Sequence, residues 1–245
     1  MTTTIAVSGK GGSGKTTLAA MIIRCLLEKD NSGGVLSVDA DPNSCLGLTL
    51  GVQPEGVVAD IREDARSKTP TNTGMDKLRT VEYGIQQAVT EAKGFDLLTM
   101  GRPEGPDCYC AVNNMLRKFL DKLGSQYRYV VIDNEAGMEH LSRRTTNNVE
   151  QLYIIAEQNP IGSVTAQRIY ELANKLPISV KKIGVIWNKS TGDESGMSNG
   201  MEVAGHIPYS DAVLSCSVQG KTIFDLEKDN PAYLEVSKII KQIFI

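Results

Sequence analysis

The stretch "TTIAVSGKGGSGKTT", residues 3–17, places a glycine-rich loop directly after a run of β-branched and apolar residues. The residues that follow, to about Lys29, repeat apolar side chains at helical spacing, so the loop joins a predicted strand to a predicted helix. Its core, Gly9 to Thr17, has the pattern G-x-x-x-x-G-K-T. Glycines let successive backbone N–H groups face an anion, and the helix N-terminus adds its dipole. The sequence therefore predicts a phosphate-binding loop.

The residue types of this loop predict how a nucleotide would be held. Lys15 is expected to contact the β and γ phosphates, and the Thr16 hydroxyl is expected to bind Mg²⁺. The remaining members of the predicted cradle are Gly9, Lys10, Gly11, Gly12, Ser13, Gly14 and Thr17.

The order of the predicted elements indicates the fold class. Short apolar runs alternate with longer amphipathic stretches, which is typical of parallel βαβ units. The runs are "GVLSVDA", "FDLLTMG", "YRYVVIDNEAG", "QLYIIAE", "KKIGVIWNK" and "MEVAGHIP". Several are apolar on both faces, which suits strands that helices cover on each side. We predict an α/β fold with a doubly wound, mostly parallel sheet, and we interpret residues 1–245 as one domain.

One part of the chain departs from this alternation. Residues 60–94 contain a polar loop, "EDARSKTPTNTG", followed by "MDKLRTVEYGIQQAVTEAKG", which we interpret as helical. This segment is predicted to be an insertion between two strands of the sheet.

Composition narrows the classes of partner. With 26 Lys and Arg against 29 Asp and Glu, the formal charge of −3 gives no basic footprint for nucleic acid. No apolar run approaches the roughly 20 residues of a spanning helix, and the first residues lack the features of a secretory signal. A cytoplasmic protein is expected. The five cysteines are interpreted as free thiols rather than a disulfide framework.

Acidic side chains stand at the ends of two predicted strands. Asp39 and Asp41 lie in "SVDADPN", and Asp133 lies in "YVVIDNEAG", which has the form of a Walker B strand. Because parallel strands present their carboxyl ends at one edge of the sheet, these groups are expected to converge on the ligand site. We predict that Asp133 lies beside the metal and that Gly137 bonds the γ-phosphate.

The second lysine of the loop, Lys10 in "KGGSGKT", resembles the deviant Walker A motif of the ATPase family that includes MinD, ParA and the nitrogenase iron protein. In that family this lysine reaches across a two-fold interface to the nucleotide of the other subunit. The resemblance implies a homodimer that forms with ATP and hydrolyses it to ADP. It also implies that Asp41 is the catalytic switch I aspartate, so Lys10, Lys15 and Asp41 are the expected catalytic residues.

Two positions near the later strands are candidates for the nucleoside. Asn188 in "WNKST" follows a predicted strand and is expected to hydrogen-bond the base. GTP-binding relatives carry an aspartate where this chain has Thr191, which favours adenine. Pro208 in "HIPYS" corresponds to the position where related ATPases close the pocket over the base. A turn-forming asparagine is the alternative interpretation of Asn188.

A cysteine pair, Cys108 and Cys110, lies in "GRPEGPDCYC". A disulfide between residues so close would be strained, and two thiolates supply half of the four ligands that a closed soft-metal site generally needs. Two copies of the loop brought together in a dimer would supply all four.

The pair, together with "DNEAGMEHLSRR" and "DADPNSCLG", is similar to the CooC-type accessory ATPases of carbon monoxide dehydrogenase and acetyl-CoA synthase. The resemblance implies that Cys108 and Cys110 bind Ni²⁺ during maturation of a client nickel enzyme. Zn²⁺ suits the same ligands, so the identity of the metal comes from the resemblance.

Two other functions stay open. A MinD-like positioning ATPase would need a membrane-binding helix, and the C-terminal "YLEVSKIIKQIFI" is amphipathic. Pro231 starts that stretch like an ordinary docked helix, so we favour packing in the core and do not expect a membrane partner. An electron-transfer protein like the nitrogenase iron protein would need a cysteine near the Walker B strand, and "DNEAGMEH" has none.

Overall fold

A computed structural model describes residues 2–29, 34–61, 82–101, 118, 120–135, 148–175, 179–190 and 200–244. Within these ranges eight strands form one sheet, in the order β3-β4-β2-β5-β1-β6-β7-β8. The strands are β1 (Thr3–Gly9), β2 (Val35–Ala40), β3 (Val89–Glu91), β4 (Phe95–Thr99), β5 (Tyr129–Asn134), β6 (Asn148–Glu157), β7 (Ser179–Ser190) and β8 (Val203–Pro208). All neighbouring pairs are parallel except β3 and β4, which are antiparallel.

Helices cover both faces of the sheet. They are α1 (Lys15–Lys29), α2 (Leu46–Leu50), α3 (Pro160–Lys175), α4 (Asp211–Val218) and α5 (Pro231–Lys241), and residues 58–61, 82–88 and 120–124 are also helical. Successive strand residues feed opposite cores: Ile5 packs with α1 and α5, whereas Ala6 packs on the side of α3. The predicted doubly wound, mostly parallel α/β fold is confirmed. Among the described helices, none combines the length and apolarity that a bilayer crossing requires.

The structure corrects the helical interpretation of the segment before β4. Residues 82–88 are helical, but Val89–Glu91 form β3, which pairs antiparallel with β4 through Thr90 and Leu97. Gly94 turns the chain with a φ of 90°, and the Ala92 N–H donates to the Phe95 carbonyl over 2.9 Å. The open edge of β4 offers hydrogen bonds that outweigh local helical periodicity. Residues 62–81 of the predicted insertion lie outside the described residues.

The C-terminal helix α5 is docked in the core, as the sequence predicts. Val236, Ile239 and Ile240 are buried in the same cluster as the apolar face of α1. Asn230 caps the helix by accepting from the N–H groups of Ala232 and Tyr233. The apolar face of α5 is therefore occupied inside the protein.

Candidate nucleotide site

The glycine-rich loop closes around the carbonyl oxygen of Lys10. That oxygen accepts from the Ser13 N–H at 3.2 Å, from the Ser13 hydroxyl at 2.8 Å and from the Lys15 ammonium at 3.4 Å. Gly12 and Gly14 have φ values of 78° and 99°, a region that favours glycine. The loop thus holds a conformation that its glycines permit.

The two lysines of the loop lie in opposite environments. The Lys15 side chain is folded into the loop and the residue is only 7% exposed, whereas Lys10 is exposed to solvent. A buried ammonium held by one long hydrogen bond is poised to exchange that bond for phosphate oxygens. The exposed ammonium is available to a group outside this chain.

The register of the sheet brings the predicted carboxylates together. Asp133 on β5 pairs with Asp39 on β2 and with Val7 on β1, the strand that enters the loop. Both carboxylates are buried, Asp39 at 0% and Asp133 at 1% exposure. The edge predicted from strand order is therefore the edge at which the loop and both carboxylates meet.

The two buried carboxylates differ in their partners. Asp39 accepts from the N–H groups of Leu46 at 2.8 Å and Asp41 at 3.3 Å, yet burial still raises its pKa to about 6. Neither oxygen of Asp133 has a partner of good geometry in the described part of the chain, although the Thr16 hydroxyl lies beside the group. Burial raises the pKa of Asp133 to about 7, and Thr16 and Lys15 offset it only in part.

An unsatisfied buried carboxylate beside a threonine hydroxyl fits Mg²⁺. Buried polar atoms are nearly always paired, so the two Asp133 oxygens, which have no partner of good geometry within the described ranges, fit a bound cation. Within the described residues, no group of three or more His, Cys, Asp or Glu side chains is arranged to hold a metal. Mg²⁺ typically takes one or two protein ligands and completes its shell with water and substrate phosphates. Thr16 and Asp133 can provide the protein ligands.

Asp41 lies in the turn that leaves β2. Its carboxylate accepts from the backbone N–H and the side-chain amide of Asn43, both at 2.9 Å, and the residue is partly exposed. Ser44 follows with a φ of 50°, and α2 begins two residues later. This short, strained turn places a carboxylate at the rim of the site, where solvent water has access.

A cavity of about 240 Å³ lies beside the loop and contains both predicted base-pocket residues. Asn188 and Pro208 line it together with Gly12 and Gly14. The sequence did not predict its apolar walls, which come from separate elements: Met21, Ile155, Ile207, Val213 and Leu214. No sequence signal marks them, because each looks like an ordinary core or surface residue of its own strand or helix. None of the described lining residues is Asp or Glu, the type that would accept from the guanine amino group.

Three predicted site residues cannot be placed. Gly137, Cys108 and Cys110 lie outside the described residues. The roles assigned to them stay predictions.

Known proteins resemble this chain in sequence and in fold. Residues 4–223 match the family described as the CobQ/CobB/MinD/ParA nucleotide binding domain. An uncharacterized ATP-binding protein of Methanocaldococcus jannaschii is 42% identical, over 98% of this chain and 97% of the relative. The carbon monoxide dehydrogenase accessory protein CooC of Rhodospirillum rubrum is 31% identical, over 91% of this chain and 89% of the relative.

Among solved structures, the cell division ATPase MinD of Pyrococcus furiosus resembles the chain with a TM-score of 0.72 at 18% identity, over 100% of this chain and 99% of that one. At that identity the likeness shows the fold alone. The match over residues 4–223 and the geometry of the phosphate loop lead to one assignment: the chain belongs to the CobQ/CobB/MinD/ParA family of P-loop ATPases.

Proposed function

We propose that the protein is an ATP-dependent maturation ATPase that binds Ni²⁺ and supports its insertion into carbon monoxide dehydrogenase or acetyl-CoA synthase. Similarity to CooC along 91% of the chain supports this client class. The observation that carries the proposal is the exposed Lys10 at the rim of a loop whose other lysine, Lys15, is buried. A cation in that position suits a nucleotide bound by a second subunit.

The hydrolytic step follows from the arrangement of this chain's residues. Lys15 would bind the β and γ phosphates, while Thr16 and Asp133 would hold Mg²⁺, which when bound neutralises charge that develops on the phosphates. Asp41, at the solvent-accessible rim, would orient the water that attacks the γ-phosphate, releasing ADP and phosphate. Movement of the turn after Asp41 would then report hydrolysis to the rest of the molecule.

Dimerisation links the nucleotide to the metal cargo in this proposal. Lys10 of each subunit would stabilise the γ-phosphate of the other, as an arginine finger does. The same two-fold axis would bring together two Cys108 and Cys110 pairs, giving Ni²⁺ four thiolates. ATP favours that dimer only to the extent that it binds the dimer more tightly than the monomer. Zn²⁺ would compete for the same ligands.

The packing of α5 in the core argues against the main alternative, a positioning ATPase that binds membranes. A positioning ATPase that binds membranes through α5 would have to release Val236, Ile239 and Ile240, which are at most 3% exposed. Each buried aliphatic side chain contributes roughly 1.5–3 kcal/mol, so that release is costly. An electron-transfer role like that of an iron protein stays open, and cluster absorbance after anaerobic purification would reveal it.

Nickel binding by calorimetry tests the proposal. Wild type and Cys108→Ala/Cys110→Ala are titrated under reducing, anaerobic conditions, with and without a non-hydrolysable ATP analogue, and native mass spectrometry gives the oligomer. We expect one ion per dimer in the wild type, because one pair supplies about half of a four-ligand site, and no binding in the variant.

Cys216→Ala is the matched control, since this thiol is partly buried on α4, and we expect it to retain nickel binding. One ion per monomer, or binding that survives in the double variant, would overturn the shared metal site. The ATPase assignment would stand in either case.

A further inference from the structure

Glu157, the last residue of β6, lies beside the start of the phosphate loop. Ile155 of β6 pairs with Gly9 of β1, and the two strands are so close that a Cβ built on Gly9 would clash with the Ile155 carbonyl oxygen. Strand residues two apart lie on one face of a sheet, so Glu157 shares the face of Ile155, which lines the cavity beside the loop. Because Lys10 follows Gly9, the Glu157 carboxylate is level with the exposed lysine of the loop.

Two ammonium groups act on this carboxylate. The Lys189 Nζ donates to Oε1 of Glu157 at 2.6 Å, and the Asn159 Nδ2 donates to Oε2 at 3.3 Å. The contact with Lys189 and, more weakly, the positive charge of Lys10 hold the pKa of Glu157 below its usual range. One carboxylate is therefore paired with Lys189 and also attracts Lys10.

The two contacts have opposite consequences for a Lys10 that leaves its own chain. Attraction to Glu157 favours keeping the ammonium beside its own loop. The ion pair with Lys189 neutralises much of the Glu157 charge, and it leaves the carboxylate with a partner after Lys10 has moved away. The position of Lys10 thus depends on how the charge of Glu157 is shared.

We propose that Glu157 and Lys189 set how readily Lys10 is released to a second subunit: Glu157 holds Lys10 on its own chain, and Lys189 weakens that hold by pairing with Glu157. Both act through Lys10 and are positioning residues for it. The inference rests on the ATP-dependent dimer of the proposed function and is independent of metal binding.

The dissociation constant of the dimer tests the inference. It is measured by analytical ultracentrifugation with Mg²⁺ and a non-hydrolysable ATP analogue, for wild type, Glu157→Gln and Lys189→Met. We expect Glu157→Gln to lower the constant roughly twofold to thirtyfold, because a dimer contains two copies of a largely exposed charge contact. Lys189→Met is expected to raise it by a similar factor. Loss of an ion pair that only supported the fold would not tighten the dimer.

Two further variants separate release of Lys10 from a general effect of charge. Glu171→Gln removes the same charge from an exposed residue of α3 whose side chain contacts Gln167, and it should leave the dissociation constant unchanged. Lys10→Ala/Glu157→Gln is expected to form no dimer, since Glu157 acts through Lys10. A shift in Glu171→Gln equal to that in Glu157→Gln, or a dimer in the double variant, would overturn the proposal.

The outcomes also distinguish this inference from the function on which it rests. A wild type that stays monomeric with the ATP analogue would overturn both. A wild type that dimerises, while Glu157→Gln associates no more tightly, would overturn this inference alone. The side chains of Glu157 and Lys189 are 42% and 46% exposed, so we expect both variants to fold, and circular dichroism checks it.

Discussion

At the residue scale, the two buried aspartates, Asp39 and Asp133, differ in their hydrogen-bond partners, which suggests a structural role for the first and a ligand-binding role for the second. Asp39 already accepts backbone N–H groups from the start of α2 and from Asp41, so it shapes the turn that carries the rim carboxylate. Asp133 has no such partner within the described residues and lies beside Thr16 and Lys15. The two carboxylates at this sheet edge therefore differ in the backbone donors that reach them, and we propose that Asp133 is the one left to bind a ligand.

The buried carboxylate of Asp133, whose oxygens have no partner of good geometry within the described residues, is expected to lower the free energy of unfolding of the protein in a pH-dependent way. Because its folded pKa of about 7 exceeds the ordinary value, the folded state holds the proton more tightly, and stability falls as the pH rises towards 7 and then levels off. Asp133→Asn removes that cost, so we expect a gain of about 2 kcal/mol in the free energy of unfolding at pH 8, shrinking as the pH falls towards 4. Urea denaturation at both pH values measures it.

Two further results complete this test. Asp133→Asn is expected to lose the Mg²⁺ dependence of ATP binding. Asp39→Asn is the matched control. Its gain in the free energy of unfolding at pH 8 should be smaller, because the substitution weakens the hydrogen bonds that Asp39 accepts from the N–H groups of Leu46 and Asp41. A destabilised Asp133→Asn protein at pH 8 would contradict the interpretation of its carboxylate.

At the scale of elements, the buried Arg24 on α1, the helix that follows the phosphate loop, contacts residues near the C-terminal end of the chain. The Arg24 guanidinium on α1 donates to the carbonyls of Ile223 and Leu226, both at 2.7 Å, and to Glu28 at 3.1 Å. It also lies 4.3 Å from the centre of the Tyr233 ring on α5. Since α1 begins at Lys15, this cluster packs against the later half of the helix whose first residue lies in the phosphate loop.

We therefore expect Arg24→Met to lower the free energy of unfolding by about 3 kcal/mol, because two carbonyls lose a buried charged donor and Glu28 keeps only Tyr233 and Lys228 as partners among the described residues. Urea denaturation gives the value. Lys238→Met is the control: its ion pair with Glu235 is largely exposed, and a change within about 0.5 kcal/mol is expected. Equal stability of the two variants would show that the Arg24 contacts contribute little.

At the scale of the whole molecule, Lys10 is exposed at the edge of the sheet that carries the candidate site. The loop, the rim carboxylate Asp41 and the cavity beside Pro208 share one edge of the sheet. A second subunit placed there would complete the phosphate site with its own lysine. The dimer is in this sense part of the proposed active site.

Lys10→Ala tests that arrangement. The variant should bind ATP nearly as wild type does but form no dimer with a non-hydrolysable ATP analogue, and hydrolysis should slow by roughly a hundredfold or more, since a charge on the γ-phosphate is lost. Light scattering after size-exclusion chromatography gives the oligomer. Lys15→Ala is the contrasting variant and should lose ATP binding itself. A dimer that persists in Lys10→Ala would refute the role of Lys10.

The residue pattern alone predicted the fold class, the phosphate loop and the strand ends that carry Asp39, Asp41 and Asp133. It also assigned Asn188 and Pro208 to the base pocket; both line the cavity beside the loop, and their contact with a base remains a prediction. The fold class and the convergence of the strand ends were predictable because they rest on local periodicity and on the rule that parallel strands present their carboxyl ends at one edge, whereas Pro208 was assigned by resemblance to related ATPases.

Three other features depend on contacts between separate elements, and the residue pattern does not predict them. Thr90 joins a strand because β4 leaves an edge open, Arg24 is buried because distant carbonyls accept from it, and the Asn188 carboxamide is engaged by Ser13. Each depends on partners that come from separate elements, the last two more than 170 positions apart in sequence. Sequence periodicity indicates which face of a helix or strand is buried. The partner of a buried polar group depends instead on which distant segment packs against it in the folded chain.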